Sequence, residues 1–171
     1  MTTSESVQQH REAARDSLSI GVLTVSDTRT LADDSGGALI IELLEAAGHS
    51  VATRLIVEDA RDRIVSSLLD LVSKPHVDAI ISTGGTGIAR RDVTYEAVSS
   101  IVDRQMHGFG ELFRMLSFEE IGSAAMLSRA IAGTIGSKVI FALPGSRNAI
   151  RLGMERLILP EIAHVVYEVR K

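Results

Sequence analysis

The chain has 171 residues, a formal net charge of −4, 45% hydrophobic residues and only 4% aromatic ones. These totals predict one domain with a core of Ile, Leu, Val and Ala, and they argue against the basic face of a nucleic-acid binder. Cysteine is absent, which excludes disulfides, thiolate catalysis and Cys-ligated metals. No apolar stretch approaches the ~20 residues of a membrane helix. Residues 1–17 read as a polar N-terminal arm without the apolar centre of a signal peptide. The expectation is a cytoplasmic protein, with residues 18–171 as its single domain.

Residues 18–25 form a nearly continuous apolar run, the mark of a strand buried on both faces. A polar loop over 26–35 leads into residues 36–47, where Leu39, Ile40, Leu43 and Leu44 recur at helical spacing and Gly48 stands at the position of a C-terminal cap. Residues 51–57 predict a second strand, with Arg54 pointing to a place near the sheet edge. Residues 60–73 predict a helix with Ile64, Leu68, Leu71 and Val72 on one side, stopped by Pro75. A third strand is expected over 77–82, and short helices over 94–102 and 109–121. Residues 122–135 are ambiguous, and 128–135 fit either a strand or a crossing loop. A strand over 139–143 ends at Pro144-Gly145, and a terminal helix over 149–166 is expected to be bent or divided by Pro160. Apolar runs that alternate with amphipathic stretches indicate a parallel sheet covered on both faces. In such sheets ligands bind beyond the carboxyl ends of the strands.

Three strands end in loops of small polar residues. The most distinctive loop carries Gly84, Gly85, Thr86 and Gly87. Glycines let backbone N–H groups approach an anion and permit positive φ, so this loop reads as a phosphate cradle or as a flexible strand-to-helix turn. It lacks the Gly-Lys-Ser/Thr ending of a Walker loop and the spacing of the dinucleotide fingerprint. Asp92 follows it, either as a helix cap or as a carboxylate that carries Mg²⁺ against a phosphate. Asp59, after the second strand, either caps a helix or faces the same crevice. Ser26 and Asp27 end the first strand. Ser35 and Gly36 open the next helix, where Asp and Ser suit capping and the helix N-terminus suits an anion. Pro144, Gly145 and Ser146 form a third loop with Arg147 beside it. The five histidines have no metal-ligand spacing, and no serine has the partners of a hydrolase triad.

The segments TVSD, STGGTGIARRDVTYEAV, GFGELFRMLSFEEIGSAAMLSRAIAG and FALPGSRNAI, in this order, resemble the MoaB/MogA family of molybdenum-cofactor biosynthesis. The resemblance runs from about Leu18 to the C-terminus, and the middle segment is similar to the MoaB branch. It implies a three-layer α/β/α molybdopterin-binding fold with a mainly parallel mixed sheet, one strand being antiparallel. It implies Mg²⁺-dependent adenylylation of molybdopterin by ATP, giving adenylyl-molybdopterin and pyrophosphate. The alternative is a non-catalytic molybdopterin-binding or carrier protein. By the same resemblance, residues Gly84, Gly85, Thr86 and Gly87 match the phosphate loop, and Asp59 and Asp92 match catalytic aspartates; a carboxylate beside a phosphate cradle makes sense with a divalent cation between them, so the same two are expected to hold Mg²⁺. Ser26, Asp27, Ser35, Gly36, Pro144, Gly145 and Ser146 match the pterin side. A trimer or hexamer is implied. Tyr95 departs from the family pattern, which often has Pro there.

Overall fold

The computed structural model describes residues 17–171. Its strands are β1 (Ser19–Val25), β2 (Ser50–Val57), β3 (Ala79–Thr83), β4 (Arg104–Gln105), β5 (Ile131–Ile135) and β6 (Lys138–Leu143). Its helices are α1 (Ser35–Ala46), α2 (Arg61–Ser73), α3 (Thr94–Ser99), α4 (His107–Ile121), α5 (Arg147–Gly153) and α6 (Leu159–Arg170). One sheet runs in the order β2-β1-β3-β6-β5-β4. The first four of these are mutually parallel, and β5 is antiparallel to both its neighbours. The expected mainly parallel mixed sheet with one reversed strand is present. The N-terminal arm lies outside the described residues except for residue 17.

Alternation along the central strands builds two cores. Ile20, Val22, Ala79, Ile81, Val139 and Phe141 point to the side covered by α1, α4, α5 and α6. Leu23, Val25, Ile80, Ile140 and Ala142 point to the side covered by α2 and α3. With both faces covered, these strands have no polar side to show, hence their nearly continuous apolar runs. Phe109, Phe113 and Phe141 pack together at one corner, where Phe109 meets Phe141 edge-on at 5.3 Å between ring centroids. Ile81 is fully buried, so its truncation to Ala would cost about 2–5 kcal/mol.

The register sets up the site. Val25 pairs with Val57, Thr24 with Thr83, and Thr83 with Leu143. The carboxyl ends of four parallel strands therefore lie level along one rim. From β1 the chain turns to α1 on one face, and from β3 to α3 on the other, which makes the gap between these two strands a topological switch point.

Local chemistry explains most boundaries. At the end of α1, Gly48 takes φ +84°. Gly48 N–H donates to Glu45 O and His49 N–H to Leu44 O, the paired bonds of a Schellman motif. β2 is an edge strand, as Arg54 indicated. The ambiguous stretch resolves into a 3₁₀ turn (Gly122–Leu127) followed by β5, whose hairpin to β6 places Gly136 at φ +54°. The terminal helix is divided, but before Pro160. A π turn (Met154–Ile158) separates α5 from α6, and Pro160 sits in the first turn of α6, where its missing N–H costs least. β4 was not expected.

Candidate functional site

The loop after β1 is tied by its own residues. Ser26 Oγ accepts from the N–H groups of Thr28 and Arg29 at 3.3 and 3.2 Å. Asp27 reaches across the rim: its Oδ1 accepts from Asp59 N–H at 2.8 Å, and its Oδ2 pairs with Arg91 at 3.0 Å. Asp27 therefore orders the two neighbouring loops.

The start of α1 is capped by Asp34, which is 4% exposed. It accepts from Gly37 N–H at 2.9 Å, Thr24 Oγ1–H at 2.8 Å and Arg54 Nη2–H at 2.9 Å. Burial opposes its ionisation, yet the three donors outweigh burial and hold its pKa below the usual value. Ser35 stays exposed, and its carbonyl accepts from Arg147 at 2.9 Å, which links this loop to the one after β6. In that third loop Pro144 O accepts from Thr83 Oγ1–H at 3.1 Å. Ser146 Oγ accepts from Ala149 N–H at 3.2 Å and so caps α5.

The glycine loop crosses the middle of the rim. Gly84 and Gly85 take φ +98° and +64°. A Cβ on Gly84 would collide with Val25 O, and Gly84 N–H donates to Leu143 O at 3.0 Å. A Cβ on Gly85 would strike Thr94 Oγ1 and come within 3.0 Å of both Asp59 oxygens. A Cβ on Gly87 would meet Asp92 Oδ2 at 2.5 Å. These glycines are therefore needed for close approach as well as for turning. The Thr86 and Thr94 hydroxyls are buried and have no partner among the described residues.

Neither aspartate caps a helix. The cap positions of α2 and α3 are Ala60 and Val93, with no side-chain cap bond at either. Asp92 instead folds back on its own loop, where its Oδ2 accepts from Ala89 N–H at 3.0 Å. Asp59 faces the crevice, and among the described residues its carboxylate accepts one long bond, from Val93 N–H at 3.4 Å. Burial raises the Asp59 pKa, and the nearby charges of Asp92 and Asp27 raise it further. Two carboxylates of one sign thus converge on the glycine turn. α3 has six residues, so the dipole expected there is short.

The sequence-derived residues fall into two adjoining groups. Ser26, Ser35, Gly36, Gly84 and Gly145 line a hollow of about 150 Å³, with Arg29 and Asp34 in its wall. That is smaller than the ~300 Å³ that usually encloses a drug-sized ligand, so it fits one group of a larger molecule. Gly85, Gly87, Asp59 and Asp92 lie together on the other side of Gly84. A larger cavity of about 710 Å³ lies beside β4 and α6 and contains none of these residues. No group of three or more His, Asp or Glu residues is placed to share a metal among the described residues.

Sequence reasoning missed Arg129. Its Nε–H donates to Gly87 O at 2.8 Å, its Nη2–H to Asp92 O at 2.8 Å, and its Nη1–H to Glu96 Oε1. Its backbone N–H donates to Thr86 O at 3.3 Å, and its guanidinium lies 5.2 Å from the centroid of the Tyr95 ring. These partners are 33 to 43 residues away in sequence, so no local spacing could have shown them. Arg54 was read only as an edge marker, and its contact with Asp34 has the same long-range character.

A covered, mostly parallel sheet with glycine turns and carboxylates at the switch-point rim defines an α/β ligand-binding protein. The family described as "Probable molybdopterin binding domain" matches residues 21–164. Molybdenum cofactor biosynthesis protein B of Bacillus cereus is 50% identical over 167 residues, which cover 97% of this chain and 99% of that protein. The protein of the same name from Halalkalibacterium halodurans is 52% identical, over 97% of this chain and 98% of that one. Among solved structures, the tungsten cofactor synthesizing protein MoaB of Pyrococcus furiosus superposes with a TM-score of 0.83 at 37% identity, covering 92% of this chain and 100% of that one. The chain belongs to the MoaB/MogA family of molybdenum cofactor biosynthesis proteins.

Proposed function

We propose that the protein is a molybdopterin adenylyltransferase that uses ATP. In this reaction an oxygen of the molybdopterin phosphate attacks the α-phosphorus of ATP. The bond from that phosphorus to its bridging oxygen breaks, and pyrophosphate leaves with the electron pair. The products are adenylyl-molybdopterin and pyrophosphate. The observation that carries this reading is the pairing of two sparsely bonded carboxylates, Asp59 and Asp92, with the glycine turn.

The donor chemistry fits Mg²⁺. Carboxylates are hard oxygen ligands, and Mg²⁺ commonly takes one or two of them together with substrate phosphates. The raised pKa of Asp59 beside Asp92 and Asp27 also marks a place where positive charge is favoured. Asp59 and Asp92 would hold the ion, which when bound offsets phosphate charge. The backbone N–H groups of residues 84–87 would orient the phosphates. The hollow lined by Ser26, Ser35, Gly36 and Gly145 would seat part of the pterin. Alignment and charge neutralisation are the terms on which phosphoryl-group chemistry depends most.

The protein is proposed to act in the cytoplasm as a homo-oligomer, a trimer or a hexamer. No helix of the described residues is long and apolar enough to cross a membrane. Leu112, Met115, Phe118, Ile121, Met126 and Leu127 are exposed along α4 and the turn after it, an apolar surface suited to a second copy of the chain.

The test is anaerobic incubation with molybdopterin, ATP and Mg²⁺, with adenylyl-pterin and pyrophosphate followed by chromatography. Product is expected from the natural protein and not from Asp92→Asn. Tight molybdopterin binding without product would replace this reading with that of a carrier.

A further inference from the structure

We propose that Arg129 is the positioning residue for Asp92. This rests on the reading of Asp92 as a member of the reactive site. Residues 88–91 form an exposed excursion between Gly87 and Asp92. The two ends of that excursion are joined by one guanidinium, which takes the Gly87 carbonyl through Nε–H and the Asp92 carbonyl through Nη2–H, both at 2.8 Å. The same side chain is held from outside the loop by Glu96 on α3 and by the face of Tyr95. Burial and the Arg129 hydrogen bond act oppositely on Glu96, and its pKa lies below the usual value, so this carboxylate is ionised at neutral pH.

The planar fork explains why Arg stands here. Its donors lie in fixed directions, so two carbonyls and a carboxylate are engaged at set separations. Nε, Nη1 and Nη2 each donate to a protein oxygen and the side chain is 26% exposed, so three of the five guanidinium N–H groups are held by the protein itself. Its action is on the loop. With the ends of the excursion pinned, the Asp92 carboxylate stays beside Gly87 and over Ala89 N–H. Without the pin, the excursion keeps only its own turn bonds between Ala89 and Asp92 and the exposed pair of Arg91 with Asp27. The position of Tyr95, where the chain departs from the family pattern, supplies one wall of this clamp.

The experiment compares Arg129→Met and Arg129→Lys with Arg151→Met, which removes an arginine from a surface pair with Glu155. The first readout is amide hydrogen exchange by NMR in the protein without substrates. Exchange at Ala89 and Asp92 should rise about 10-fold or more in Arg129→Met, because local opening governs such protection. The second readout is turnover: kcat should fall about 100-fold with the KM for ATP within about twofold, the pattern of a misplaced reactive group. Arg129→Lys should fall between, at about a 10-fold loss, since one ammonium cannot reproduce the fork. The thermal midpoint of both should stay within about 3 °C of the Arg151→Met control.

Unchanged exchange at Ala89 and Asp92 would overturn the proposal. So would faster exchange with unaltered kcat, or a loss expressed wholly in KM. If Arg129→Met does not fold, the Lys variant carries the same comparison. If the natural protein forms no adenylyl-pterin, the adenylyltransferase reading falls by itself, and the exchange data still decide whether Arg129 holds Asp92.

Discussion

Asp34, at the start of α1, and Asp59, just beyond the end of β2, stand on one rim of the sheet, yet their surroundings are opposite. Asp34 is buried and accepts from a helix N–H, a hydroxyl and a guanidinium, and its pKa is lowered. Asp59 is partly exposed, accepts one long hydrogen bond and faces carboxylates of its own sign, and its pKa is raised. The first carboxylate contributes to folding and has little capacity left for a ligand. The second contributes nothing evident to folding and keeps its oxygens for something else. Asp92 resembles Asp59 in this respect, with Ala89 N–H as its donor. Donor count and neighbouring charge thus separate a structural aspartate from a candidate functional one within a single rim.

The strongest challenge to this division is Asp92→Asn. Product formation should fall about 1,000-fold or more, while urea unfolding shifts by less than ~1 kcal/mol. A large stability loss with activity retained would place Asp92 with Asp34. Next in size is Asp34→Ala, which leaves Arg54 without its carboxylate and α1 without its cap. Urea unfolding should show a loss of about 3 kcal/mol. Gly87→Ala sharpens the comparison from the side of the loop. The three atoms nearest its added Cβ all belong to the Asp92 carboxylate, Oδ2 first at 2.5 Å, so activity should fall about 10-fold with nearly unchanged stability, reporting displacement of that group.

The smallest effect is electrostatic. Because the Asp59 pKa is raised on folding, its ionised form opposes folding above that pKa, and the penalty vanishes as pH falls below the unfolded value. Asp59→Asn should therefore melt about 1 °C higher at pH 7, a modest gain because water screens a partly exposed charge. The gain should disappear below about pH 4. Asp34 works in the other direction. Its stabilisation is complete above the ordinary carboxylate range and is lost as pH falls through its lowered pKa. Melting curves across this range would show the two signs.

Much of this was legible in the sequence. β1, β3 and β6 announce themselves because strands covered on both faces must be apolar throughout. β4 left no such trace: it has two residues, Arg104 and Gln105, at the edge of the sheet. β5 is short and begins soon after a 3₁₀ turn, so residues 122–135 offered no long period to read. At the candidate site, spacing and resemblance singled out the glycine turn and both aspartates, and the fold brings them together. Their capping alternatives could not be dismissed until the backbone showed where α2 and α3 begin. Arg129 and the Asp34–Arg54 pair were invisible because each is a meeting of distant segments, made by the fold and by no local pattern.

The seat of Gly84 has a thermodynamic consequence. Its backbone rests against Val25 and Gly145 and donates to Leu143, so the turn is fixed before any ligand arrives. A glycine-rich loop free in solvent would have to surrender backbone freedom on binding, at about 1–2 kcal/mol per residue. Here that entropy was already given up when β1 and β6 formed. Association at this rim should accordingly keep more of its interaction energy as affinity.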